Sequence, residues 1–165
     1  LSVVADACEE GVGVYLGNVL IWDSAKGVEI KAVPSKKYPL HTLSDHVVCH
    51  PGTFISKWAY DKYGGYKIDF KFMMDLDLLI RFYEAGVKFK YIPAELAMFR
   101  LGGVTDSLFF KKLKELERMY LENGAGKLFA KCRVVLFALK NSILAMLRSL
   151  GLSLILKKIK FRILR

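Results

Sequence analysis

The stretch "FKFMMDLDLLIRFYEAGVKFKYIP", residues 70 to 93, decides the class of the fold. Its first part has helical spacing. Leu78, Leu79 and Phe82 stand at i, i+1 and i+4 and form one apolar stripe, and Gly86 supplies a stop. Its second part changes period. Val87, Phe89 and Tyr91 alternate with Lys88 and Lys90, the pattern of a strand with one solvated face. A helix running into a strand, with more strand-like runs on either side, predicts an α/β chain.

Inside this stretch lies Asp75-Leu76-Asp77. Three readings are open: a metal-binding pair, a catalytic base with a helper, and the polar start of a helix. Asp75 suits an N-cap, and Asp77 precedes Arg81 by one helical turn, the spacing of an ion pair. Side chains two residues apart on a helix point about 200° from each other. Both carboxylates reach one ion only if Asp75 stands outside the helix as its cap.

Outward from here, "VGVYLGNVLIW" (12–22) reads as a strand or two, and residues 23–46, with Gly27, Pro34 and Pro39, as a hairpin or loop. "VVCHPGTFI" (47–55) is β-prone and broken at Pro51-Gly52. "SKWAYDKYGGY" (56–66) predicts a short helix capped by Ser56 and stopped at Gly64-Gly65. "AELAMFR" (94–100) reads as a second strand after the one at 87–93, and "LGGVTDS" (101–107) as a flexible turn.

Composition narrows the function classes. The 165 residues suit one domain of ordinary size, and 53% hydrophobic with 25% charged residues argues against disorder. Three cysteines (Cys8, Cys49, Cys132) do not make a disulfide scaffold and fit a reducing compartment. The net charge of +10 is divided unevenly. Residues 1–107 hold twelve Lys and Arg against thirteen Asp and Glu, whereas residues 108–165 hold fourteen against three. A nucleic-acid binder with basic character throughout would not show this division.

Two domains are therefore expected, 1–107 and 108–165. In the second, Phe109, Leu113, Leu116 and Tyr120 share helical spacing, and a break follows at Gly124 and Gly126. The remaining run is strongly apolar but interrupted by Lys140 and Arg148, so it falls short of the ~20 nearly uncharged residues a span needs. Arg133, Lys140, Asn141 and Arg148 gather on one side of the wheel, and Leu136, Leu139, Ile143, Met146 and Leu150 on the other. This predicts a basic amphipathic helix lying on an anionic membrane surface, with "KKIKFRILR" (157–165) adding attraction. Packing of the apolar side on a larger protein is the alternative.

Taken in order, "CHPGTF" (49–54), "YDKYGGY" (60–66), "MDLDLLIR" (74–81), "AGVKFKYIP" (85–93) and "FRLGGVT" (99–105) resemble the C-terminal half of a glycosyltransferase family 2 catalytic domain, in the bacterial exopolysaccharide branch of colanic-acid type. "VYLGNVLIWD" (14–23) is similar to the strand after that family's nucleotide-binding half. The likeness covers about residues 12–107.

The resemblance implies an incomplete GT-A fold, a mixed sheet sandwiched by helices. It implies inverting transfer of a sugar from a nucleotide-sugar donor to a glycan or polyprenyl-linked acceptor at the cytoplasmic face of a bacterial inner membrane. The family opens a helix with an acidic base, often written Glu-Asp. Met74-Asp75 matches that pair, so Asp75 takes the base role, with Met74 in place of the Glu. His50 is expected to contact the acceptor or the leaving diphosphate, and Asp77 and Arg100 to complete the substrate-binding set. A divalent cation, Mg or Mn, is expected for the whole enzyme, with its ligands in an N-terminal half outside this chain. The chain alone is then a fragment without activity, Asp75 a base that also caps its helix, and residues 101–107 a mobile lid. A non-catalytic membrane-surface module with a closed sheet is the rival expectation.

Overall fold

The structure, a computed structural model, describes residues 2–23, 28–32, 50–100 and 108–150. Two compact units divide at Lys112/Leu113, five residues beyond the expected boundary and within a helix.

The first unit is mixed α/β. A short helix α1 (Ser2–Asp6) leads into the long strand β1 (Val12–Asp23). Residues 12–19 of β1 are buried without interruption, as in a strand covered on both faces. β2 (Val28–Ala32) returns antiparallel, pairing Asp23 with Val28 and Val19 with Ala32, so the region read as hairpin or loop begins as a hairpin. A one-turn 3-10 helix (His50–Gly52) precedes β3 (Thr53–Ile55), which pairs antiparallel with Val14–Leu16. Helices α2 (Lys57–Tyr63) and α3 (Met74–Glu84) follow. The chain then re-enters the sheet as β4 (Lys88–Arg100), parallel to β1 over its whole length. With β4 along one edge of β1, β2 and β3 share the other. Among the described residues, β3 and β4 pair with β1 alone.

The two strands expected at 87–93 and 94–100 form this single strand. Pro93 cannot donate to the ladder. The register accordingly jumps there, from Gly17 opposite Ile92 to Asn18 opposite Glu95, and pairing resumes beyond the bulge.

The core has two sides. Val14 and Leu16 pack against Ala59 of α2 and Leu78, Leu79 and Phe82 of α3, which are the stripe residues read from the sequence. Tyr15 points the other way, toward Val4 of α1 and Ile92. Val12 joins it because a register irregularity between Val12 and Val14 breaks the alternation. Asn18 is buried and accepts a hydrogen bond from the Tyr91 hydroxyl at 2.8 Å.

Neither expected helix cap forms. Ser56 stands at the N-cap of α2, yet its hydroxyl donates across to the Val12 carbonyl (3.0 Å) while its N–H donates to Gly13 (2.9 Å). The side chain pins the start of α2 to β1. The cap residue of α3 is Met73, so Asp75 is the second residue inside the helix. Gly64 does end α2, at φ +82°, and Gly86 follows α3 at φ +75°.

The second unit contains most of α4 (Phe109–Glu122) and all of α5 (Lys127–Ser149). Leu116, Met119 and Tyr120 are buried, and the Tyr120 ring meets Phe129 edge-on at 6.1 Å. The expected break is present, with Gly124 at φ +80°. The lid at 101–107 and the terminal "KKIKFRILR" lie outside the described residues.

Candidate active site

Asp75 and Asp77 occupy the first turns of α3, and the helix sends them to opposite environments. Asp77 faces inward and is 0% exposed. Arg81 Nε donates to its Oδ2 at 2.9 Å, and Lys67 Nζ to its Oδ1 at 3.2 Å. The same guanidinium donates to the carbonyls of Tyr63 (3.2 Å) and Gly65 (2.7 Å). These are acceptors at the C-terminus of α2, where the helix leaves carbonyls unpaired. The ion cluster therefore clamps the Gly64–Lys67 turn onto α3. Asp77 belongs to this framework rather than to the substrate-binding set expected for it, because no face of its carboxylate reaches solvent. Arg81 has the structural role the sequence suggested.

Asp75 faces outward. Its side chain is 35% exposed, and Oδ1 lies 3.4 Å from His50 Nε2, which is 47% exposed. Two expected site residues 25 positions apart in the chain thus meet. The 3-10 turn carrying His50 is held by a close approach at Gly52. A Cβ there would stand 2.8 Å from Val19 Cγ2 and 2.9 Å from the Gly17 carbonyl oxygen. Only glycine lets the turn sit this tightly on β1.

Burial pushes the Asp75 carboxyl above the usual carboxylate range, and His50 pulls it part of the way back. Tyr66 adds a third side. Its ring meets the His50 ring edge-on at 6.4 Å and lies 6.1 Å from Tyr60. Burial, then the hydrogen bond with Tyr60, then the charges of Tyr60 and Asp75 push the Tyr66 phenol up, so it stays a neutral hydroxyl. In the sequence Tyr66 only closes the "YDKYGGY" stretch at the end of a predicted helix. Its place after Gly64-Gly65, where a chain leaving α2 must turn toward α3, is the signal that was available.

Arg100 ends β4 in register with Trp22, whereas the His50–Gly52 turn packs on Gly17–Val19. Three residues of strand, about 10 Å, separate Trp22 from Val19. Arg100, expected in the substrate-binding set, is an exposed residue at the end of a strand.

Asp75 and Asp77 do not fit a shared divalent cation. One carboxylate is taken by Arg81 and Lys67, and the other turns away from it. Among the described residues no group of three His, Cys, Asp or Glu could hold a metal ion. What the site offers chemically is a half-buried carboxylate with a raised proton affinity, an imidazole in contact with it and a neutral phenol alongside. No family model, curated protein or solved structure matches the chain.

Proposed function

We propose that this chain is the acceptor-side part of an inverting glycosyltransferase of GT-A type, with Asp75 as the general base. The observation carrying this reading is the His50–Asp75 contact at the N-terminus of α3, beside Tyr66. Two of the four residues that the family resemblance implicates meet here, and both remain open to a ligand. In the reaction, the acceptor hydroxyl gives its proton to the Asp75 carboxylate as its oxygen bonds to the anomeric carbon. The bond from that carbon to the nucleoside diphosphate breaks on the opposite face, so configuration inverts. A carboxylate of raised pKa is a stronger base once ionised, and the N-terminal end of α3 favours the ionised form that must take the proton. His50 and Tyr66 are placed to steer the acceptor. The acceptor is a glycan or a polyprenyl-linked sugar, met by a peripheral protein at the cytoplasmic face of a bacterial inner membrane. The nucleotide sugar and the divalent cation that accompanies its diphosphate are assigned to parts outside this chain.

The test is transfer of radiolabelled sugar from a panel of nucleotide sugars to lipid extract, using membranes that carry the native gene or its Asp75→Asn form. The enzyme reading expects transfer that the variant loses. Equal transfer by both would sink it and leave a non-catalytic membrane-surface module, a reading favoured by the exposed side of α5.

A further inference from the structure

An amphipathic helix ordinarily buries its apolar side. In α5 that side faces out. Val135, Leu136, Leu139, Ile143 and Met146, with Leu150 one residue past its end, are each 53 to 62% exposed, while Ala130 on the other side is fully buried. At 3.6 residues per turn the six fall within an arc of about 100°. The stripe begins at Leu128, which is also exposed, and runs about 33 Å to Leu150. Lys131 borders it on one side, and Arg133 and Lys140 on the other. The whole of α5 contains five Lys and Arg and no Asp or Glu.

We propose that α5 lies in the plane of an anionic bilayer surface, with the Leu128–Leu150 stripe among the upper acyl chains and the bordering cations on lipid phosphates. The inference deepens the surface location proposed above and does not depend on the role of Asp75. Two other occupants fit worse. Among the described residues no helix is long and apolar enough to cross a membrane. A second copy would set two α5 helices together with ten cations and no acid between them, which like-charge repulsion opposes. An anionic surface matches both the apolar stripe and its basic borders.

The test uses the full chain in flotation with vesicles of phosphatidylcholine, alone or with about one third phosphatidylglycerol. Binding to the anionic vesicles is expected, falling several-fold as salt rises from about 0.05 to 0.5 M because the Debye length shrinks. Leu139→Asp with Ile143→Asp should reduce partitioning at least about tenfold, since charge enters the inserted stripe. Both positions are already exposed, so circular dichroism should show unchanged helix content. A second readout places an environment-sensitive dye on Cys132, exposed and on the stripe, in a Cys8→Ser/Cys49→Ser background. The same dye is placed at Ala145→Cys on the opposite side, with Cys132→Ser added. Anionic vesicles should blue-shift the first dye and leave the second unchanged. Binding that ignores lipid charge and salt, or equal shifts at both sites, would overturn the proposal. So would lipid-free self-association that the double Asp variant abolishes, with no vesicle binding. Transfer activity is measured separately, so loss of either result leaves the other interpretable.

Discussion

At the scale of the residue, Asp75 and Asp77 separate a solvent-open carboxylate from a buried, ion-paired one. Asp75→Asn removes a group whose folded-state pKa lies above its unfolded value. Such a group adds stability at low pH, where it is protonated in both states, and loses that contribution as pH rises through the folded pKa. The Asn variant should therefore match or exceed the wild type in urea unfolding at pH 7, with the advantage shrinking by pH 4. The change should stay under ~1 kcal/mol, because the group is partly solvated. Turnover in the proposed enzyme should fall by about 10² to 10⁴, and its pH profile should rise through the raised Asp75 pKa. Asp77→Asn should behave in the opposite way. It leaves Arg81 and Lys67 without their buried counterion, at a cost of roughly 2–4 kcal/mol. Both cations reach some solvent, which keeps the figure below the top of the range for a broken buried pair. Chemical denaturation of the two variants side by side checks the pair of predictions. Equal stability losses would contradict the division of roles.

At the scale of the element, the 3-10 turn and the α2–α3 turn bring His50 and Tyr66 to Asp75. Gly52→Ala places a Cβ under 3.0 Å from both a side chain and a backbone oxygen, so the turn must shift. The cost should be about 1–3 kcal/mol, as for other overpacked sites. The His50 ring resonances should move away from the frequencies they show beside Tyr66. A variant with unchanged His50 resonances would show that the turn does not hold the imidazole. Helix α3, its buried stripe and the two glycine stops were legible in the sequence, because apolar spacing and positive-φ positions are local signals. The caps were not. Ser56 has the right identity for a cap, but its hydroxyl meets the Val12 carbonyl 44 positions away. Asp75 is inside α3 because the helix starts earlier, at Met74.

At the scale of the molecule, charge is divided between a near-neutral α/β unit and a basic helical one. Tight capture of a nucleoside diphosphate needs cations or a metal directed at its phosphates. Asp75 faces His50, Asp77 is sealed with Arg81 and Lys67, and the pair does not frame a metal. Calorimetry of the isolated chain with nucleotide sugars and Mn²⁺ should therefore give no binding in the micromolar range. A micromolar dissociation constant would refute the assignment of nucleotide recognition to parts outside the chain.

By itself, the sequence determined the class of the fold, the helical stripe of α3, the amphipathic pattern of α5 and the residues worth testing. All of these follow from spacing along the chain, which local periodicity records. Tertiary structure decided the rest. It merged two expected strands into β4 across the Pro93 bulge, drew Ser56 to the sheet, sealed Asp77 and left Asp75 open beside His50. Each of these outcomes depends on groups far apart in sequence competing for one partner or one buried face, and periodicity carries no record of that competition.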